Sequence, residues 1–132
     1  MIAAGLKTIE TRSHDKFRCL EGQTIAIHAA KAYDNMARGE VLRFVRKELY
    51  AQCLSILDRE RSLPTGAIVC TVRVVDARPL DSYHSDHALC NCLGKFGLFL
   101  THARIFYNPL PFSGKQGIFT VPDECLERRP RP

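Results

Sequence analysis

Residues 5–12 read Gly-Leu-Lys-Thr-Ile-Glu-Thr-Arg, a G-x-K-x-x-E-x-R pattern that decides how the rest of the sequence is interpreted. Gly5 allows a tight turn, and the alternation after it predicts a strand with Glu10 and Arg12 on one face. Lys7 stands at the start of this strand. An amine, a carboxylate and a guanidinium so close together can line a polar cleft and meet phosphate or base edges. The same residues also fit an ordinary solvated edge strand, and the pattern alone leaves both interpretations open.

The remaining sequence predicts one long amphipathic helix, short flanking helices and several short strands. Asp34 and Asn35 provide N-cap chemistry for the long helix, whose apolar residues recur at steps of three and four up to Ile56. A Pro-Thr-Gly turn at residues 64–66 ends it. Further strands are predicted at residues 24–29, 67–76, 96–100, 104–107 and 117–121. This arrangement is typical of a small α+β barrel.

The composition fits one domain with its own core, because 45% of the 132 residues are hydrophobic. We assign this domain to residues 1–122 and expect residues 123–132 to be a mobile C-terminal tail. The chain has 19 Lys and Arg against 14 Asp and Glu, a net charge of +5, whereas the tail has three acidic and three basic residues. The excess positive charge therefore belongs to the domain. It suits an anionic partner such as nucleic acid, but also simple solubility.

The N-terminal residues Met1–Leu6 lack the basic start and the length of a signal peptide, and no run approaches the ~18 apolar residues of a membrane span. We therefore expect a cytoplasmic protein that does not bind membranes, with its six cysteines as reduced thiols. Cys53 falls on the apolar stripe of the helix and Cys70 inside a strand, so both are expected in the core.

A run of histidine and cysteine follows the clearest strand: His84, His87, Cys90 and Cys92 form H-x-x-H-x-x-C-x-C. All four side chains belong to types that bind zinc. The spacing is unlike the usual C-x-x-C pairs, however, and neighbouring C-x-C thiols are awkward to place around one ion. We expect no bound metal and no cofactor, and interpret the run as a flexible loop over the cleft, with Asp86 or His87 as a further polar group.

Several blocks of the sequence, taken in order, resemble the ASCH family. The first is the G-x-K-x-x-E-x-R motif, and the resemblance extends over roughly residues 2–122. The other blocks are IAIHAAK at 25–31, GAIV at 66–69, FGLFL at 96–100, PLP at 109–111 and GKQGIF at 114–119. Linked blocks are far more specific than a single short motif. The resemblance implies a PUA-like β-barrel with a cleft beside the first motif.

The ASCH family is associated with RNA binding. Some of its bacterial members remove the acyl group from the exocyclic amine of N-acylcytidine, and others have been linked to RNA cleavage. The resemblance therefore implies a protein that binds a modified nucleoside or RNA and hydrolyses N4-acylcytidine to cytidine and a carboxylate. A non-catalytic RNA-binding module and a metal-dependent ribonuclease are the alternatives.

Two departures from the family pattern affect these expectations. Family members usually carry an earlier strand before the position of Gly5, so the first strand of the barrel is expected to be missing. The small bacterial acylcytidine hydrolases also place Thr where this chain has Glu10. A hydroxyl nucleophile at that position is therefore not available here.

The resemblance makes Lys7 and Glu10 the candidate catalytic residues. Lys7 would act as a general base if neutral, or hold a phosphate or an oxyanion as an ammonium. Glu10 would accept a hydrogen bond from a cytosine-type amino group or carry a proton to the leaving amine. The candidate ligand-binding residues are Arg12, His28, Lys31, Lys115 and Gln116. Arg12 would clamp Glu10 or a phosphate, and His28 also fits a hydrogen-bonded histidine at the barrel rim.

Overall fold

A curled antiparallel sheet, shaped like half of a barrel, organises the protein. The computed structural model describes residues 1–30, 37–115 and 117–127. The sheet in this part of the chain consists of β1 (Ile9–Arg12), β2 (Thr24–Ala29), β3 (Ala67–Pro79) and β4 (Phe96–Pro111). Its order is β1-β4-β3-β2, so the first of these strands pairs with the last. The predicted α+β class is confirmed, and the PUA-like barrel stays a prediction.

The two central strands, β3 and β4, are longer than the sequence predicts. β4 joins the segments predicted at residues 96–100 and 104–107 into a single strand of 16 residues. Shifts of register allow such long strands to pair and to curve, because a bulge bends the strand that contains it. The largest shift lies between Ile68 and Cys70, where the partner on β4 changes from Leu110 to Ile105.

The inner face of the sheet carries the main core. Alternate residues of β3 point to this face, as the sequence pattern predicts, and Ile68, Cys70, Val72 and Val74 are at most 1% exposed. Apolar residues from β2, β4 and the N-terminal segment pack against part of this row, among them Ile2, Phe17, Leu20, Ile25, Ile27, Phe96, Leu98 and Leu100. Burial of these side chains supplies the main stabilisation of the fold.

The prediction of a single long helix is wrong, because the structure has two shorter helices, α1 (Ala37–Phe44) and α2 (Tyr50–Asp58). Arg46 has an extended backbone (φ −62°, ψ 144°), which separates the two helices. The apolar stripe continues across this break into α2, where Cys53 is fully buried. The periodicity therefore could not predict the break. The N-cap expected at residues 34–35 lies outside the described residues.

Residues 80–95 cover the opposite face of the sheet beside β1. They include the short helix α3 (Ser85–Ala88). A backbone hydrogen bond of 2.9 Å from Thr8 N–H to the His87 carbonyl ties this segment to the start of β1. Beneath the segment lies a second, small core formed by Ile9, Leu80, Ala88 and Cys92.

The C-terminal segment differs from its prediction. Residues 117–121 do not join the sheet, because the positive φ of Gly117 (76°) interrupts the extended chain. Ile118, Phe119 and Val121 line a cavity on the inner side of the sheet instead. Residues 123–127, which the sequence places in a mobile tail, form the helix α4 (Asp123–Glu127). The rest of the predicted tail, residues 128–132, lies outside the described part.

All six cysteines lie in the described segments and are free thiols. As the sequence predicts, Cys53 and Cys70 are core residues, and both are fully buried. Burial raises the pKa of the Cys70 thiol from 9.0 to about 11, and it also raises the pKa of Cys53 and Cys92. Within the same segments, no helix combines the length and the apolarity that crossing a bilayer would need.

We predict that iodoacetamide at pH 8 will alkylate Cys19, which is exposed, well before Cys70. The thiolate is the reactive form, and a rise in pKa of about two units lowers its fraction roughly a hundredfold. Burial slows the reaction of Cys70 further. Peptide mass mapping over time will measure both rates, with urea-unfolded protein as the control. Equal rates in the native protein would contradict the buried position of Cys70.

Candidate functional site

The motif residues form a small ion-pair network around Glu10. Its Oε2 lies 3.5 Å from Lys7 Nζ, and its Oε1 lies 3.4 Å from Arg12 Nη1. The side chains of Lys7 and Glu10 are only 22% and 23% exposed. The three side chains meet because β1 alternates, which puts Glu10 and Arg12 on one face, and because Gly5 turns the chain with a φ of 74°. The convergence that the sequence predicts is therefore present.

Arg12 has one donor without an acceptor. Its guanidinium carbon lies 5.1 Å from the centre of the Phe17 ring, in cation–π geometry. Its Nε is buried and has no hydrogen-bond partner. A buried N–H without an acceptor is costly, so this atom marks a place where an oxygen of a ligand would be bound favourably.

Glu10 and Arg12 lie on the wall of a cavity of about 570 Å³. The cavity is enclosed by the inner face of the sheet and the segment after β4. Its size falls in the range of small-molecule sites. His28 and Lys115 are also on the wall, and Lys7 is not. The apolar part of the wall includes Ile25, Ile27, Leu98, Leu100, Ile118, Phe119 and Val121.

Lys7 lies outside this cavity, two residues before β1, and is followed by Thr8, whose backbone N–H donates to the His87 carbonyl. We call this region the rim and define it by these three residues. The rim is connected to the cavity through the contact between Lys7 and Glu10.

His28 is fixed in place by its neighbours. Its Nε2 donates a hydrogen bond of 2.7 Å to the Phe112 carbonyl, and its ring packs edge-on against Phe119, with 5.8 Å between the ring centres. Gly114 lies so close that a Cβ there would come within 2.6 Å of Nδ1. These contacts fit the alternative in which His28 is a hydrogen-bonded histidine at the end of β2. The other two candidates, Lys31 and Gln116, lie outside the described residues.

The His/Cys run does not form one cluster. His84 Nδ1 accepts a hydrogen bond of 3.0 Å from the backbone N–H of Asp81 and thereby caps a helical turn. The Cys90 thiol lies 3.4 Å from the Thr11 hydroxyl, and Cys92 is fully buried. Across residues 1–30, 37–115 and 117–127, no three side chains of His, Cys, Asp or Glu come together as a possible metal site.

One group at the rim was not predicted as a whole. Thr8 Oγ1 lies 3.4 Å from His87 Nδ1, and His87 Nε2 lies 3.7 Å from Asp86 Oδ1. Sequence reasoning singled out Asp86 or His87 as a further polar group, but it took Thr8 only for a strand residue. Thr8 and His87 are 79 positions apart, so no local pattern relates them.

No protein-family model matches the chain, and no curated protein matches it. The resemblance to the ASCH family therefore stays a prediction. The site offers a carboxylate between two cations, an unsatisfied donor, a ligand-sized cavity and a hydroxyl beside an imidazole.

Proposed function

We propose that this chain is an ASCH-type protein with a PUA-like barrel that binds a modified nucleoside and hydrolyses N4-acylcytidine to cytidine and a carboxylate. The observation that carries the proposal is the position of Glu10, on the wall of the 570 Å³ cavity and between two cations. A lysine beside a carboxylate at such a cavity is more than phosphate binding requires. It suits chemistry at an amide nitrogen.

The cytosine ring would occupy the cavity, whose wall is largely apolar beside Glu10 and Arg12. Glu10 would accept the hydrogen bond of the amide N–H and handle the proton at that nitrogen during cleavage. The unsatisfied Nε of Arg12 would donate to a carbonyl oxygen of the base. The amide N–H of the ligand would then have an acceptor in Glu10, and the carbonyl oxygen of the base would have a donor in Arg12.

The acyl group would extend from the exocyclic amine towards the rim. The contact of 3.5 Å between Lys7 Nζ and Glu10 Oε2 favours the second of the two roles predicted for Lys7. There it would stabilise the negative charge that develops on the acyl oxygen. Lys7 and Glu10 thereby act on the two ends of the bond that breaks.

The direct test is to incubate the purified protein with N4-acetylcytidine and to measure cytidine by liquid chromatography. We expect release that is linear in protein concentration and well above the rate in buffer. Unmodified cytidine, added as a competitor, should inhibit the reaction because it occupies the same cavity. A rate indistinguishable from that in buffer would contradict the proposed activity.

A second candidate function, RNA binding without catalysis, is favoured by two arginines on aromatic rings. Arg12 lies over Phe17, and the guanidinium carbon of Arg18 lies 5.3 Å from the centre of the Phe96 ring. Guanidinium groups in this setting contact phosphates and stack with bases. The ribonuclease alternative gains no such support, because the His/Cys run is not gathered into one cluster.

If the protein binds RNA, we predict that Arg12→Ala and Arg18→Ala will each weaken binding and flatten its salt dependence. Loss of one phosphate contact reduces the slope of log K against log salt by about one unit. Fluorescence anisotropy with a labelled single-stranded RNA at several salt concentrations will measure the slopes. Arg46→Ala, which changes an exposed arginine paired with Glu48, is the control. Affinity that does not depend on salt would count against this function.

A further inference from the structure

We propose that Thr8 is the nucleophile of the hydrolysis, with His87 as its general base and Asp86 as the group that stabilises the protonated imidazole. This inference rests on the proposed hydrolase function and names the hydroxyl that attacks the amide. The three side chains form a continuous series, in which 3.4 Å separates Thr8 Oγ1 from His87 Nδ1 and 3.7 Å separates His87 Nε2 from Asp86 Oδ1.

The two ring nitrogens of His87 have the partners that proton transfer needs. Nδ1 faces a hydroxyl, which can give up a proton, and Nε2 faces a carboxylate, which stabilises the imidazolium once it forms. Asp86 Oδ1 is buried and has no hydrogen-bond partner, so the nearby imidazole is its available counterpart. Nucleophile and base are often this far apart before a substrate binds.

The contact between Thr8 and His87 is not needed to hold the loop in place. The backbone N–H of Thr8 already donates to the His87 carbonyl at 2.9 Å, and the Thr8 carbonyl accepts from Leu100 N–H at 2.8 Å. The backbone is thus fixed on both sides, which positions the hydroxyl. The His87 side chain is 42% exposed, so a substrate can approach the pair.

Thr8 is also in the right place for the proposed substrate. It lies in the chain between Lys7 and Glu10, one residue from the proposed oxyanion site and two from the group at the amide nitrogen. Lys7 and Thr8 precede β1, which begins at Ile9, and the Lys7 side chain reaches Glu10, with 3.5 Å between Nζ and Oε2. An acyl group held by Lys7 would therefore lie one residue from Thr8.

In the first step, Thr8 Oγ bonds to the acyl carbon and its proton moves to His87 Nδ1. The tetrahedral intermediate then collapses, the C–N bond breaks, and Glu10 relays the proton from His87 to the nitrogen of the departing cytidine. In the second step, water activated by His87 attacks the Thr8 ester. The carboxylic acid leaves and the threonine hydroxyl is restored.

The first test is the kinetics of matched variants with N4-acetylcytidine. Thr8→Val and His87→Ala should each lower kcat/KM for cytidine release about 10²–10⁴-fold, and Thr8→Ser should retain activity. Thr11→Val is the control, because Thr11 contacts the same loop through Cys90 at the same distance of 3.4 Å but has no base. Free imidazole should restore activity to His87→Ala, which a purely structural role would not allow.

A second test does not depend on the nucleoside substrate. An alkyl fluorophosphonate should label Thr8 in the unmodified protein, as the hydroxyl displaces fluoride from phosphorus, and peptide mass mapping will locate the adduct. We expect labelling in Thr11→Val and none in His87→Ala. Labelling at Thr8 without cytidine release would support this inference and reject the proposed substrate. Cytidine release by Thr8→Val at the unmodified rate, without a Thr8 adduct, would overturn this inference and leave the proposed function intact.

Discussion

Glu10→Gln is expected to lower the release of cytidine from N4-acetylcytidine about 10²–10⁴-fold, the usual contribution of a proton-transferring group. The substitution keeps the size of the side chain and removes its charge. Glutamine can neither balance Lys7 and Arg12 nor handle the proton at the amide nitrogen. The loss corresponds to about 3–5 kcal/mol in the activation free energy.

The control for this variant is Glu48→Gln, the same chemical change at an exposed residue outside the cavity wall. Glu48→Gln should unfold at a urea concentration close to that of the parent, since exposed ion pairs contribute little to stability. Glu10 is only 23% exposed, so the turnover of Glu10→Gln is compared under conditions in which its own urea curve shows it to be folded. Unchanged turnover in Glu10→Gln would remove the carboxylate from the mechanism. An equal loss in Glu48→Gln would show that the effect is not specific to the site.

Gly97→Ala is expected to lower the free energy of unfolding by about 1–3 kcal/mol, the usual cost of overpacking. Gly97 lies in β4, and a Cβ there would come within 2.5–2.7 Å of three side-chain atoms of Leu80. Leu80 is only 5% exposed, so it has little room to move. Urea unfolding should show a lower midpoint with an unchanged slope.

The steric cause can be separated from other effects of Gly97→Ala by a double-mutant cycle. Leu80→Ala alone should cost about 2–5 kcal/mol, but Gly97→Ala added to it should cost much less than in the parent, because the clash is gone. Gly39→Ala in α1 is the matched control. A Cβ there meets nothing within 4 Å, so alanine should stabilise the helix by about 0.5–1 kcal/mol. Additive effects of Gly97→Ala and Leu80→Ala would contradict the predicted contact.

The parts of the fold that depend on alternation could be predicted from the sequence. The buried face of β3 follows from the spacing of its apolar residues, and so does the placing of Glu10 and Arg12 on one face of β1. The break between α1 and α2 could not be predicted, because the apolar stripe continues across it. Residues 117–121 have strand propensity, but Gly117 and packing against the cavity override it.

The candidate site likewise has one part that could be predicted from the sequence and one part that could not. The network of Lys7, Glu10 and Arg12 is local: strand alternation places Glu10 and Arg12 on one face, and the turn at Gly5 precedes Lys7. The pairing of Thr8 with His87 depends on how residues 80–95 fold over β1, and it joins positions 79 apart. Such a contact leaves no periodicity in the sequence, since it is set by tertiary packing.

The strand order has a consequence for how the protein is made. Strand β1 pairs with β4, and β4 begins 84 residues after Arg12. During translation, β1 therefore remains unpaired until β4, the last strand of the described sheet, has left the ribosome. Closing so long a loop is slow, and we expect the nascent chain to remain sensitive to proteases until that moment. The contact between Thr8 and His87 also joins the start of the chain to a segment just before β4, so we expect the proposed catalytic pair to form late as well.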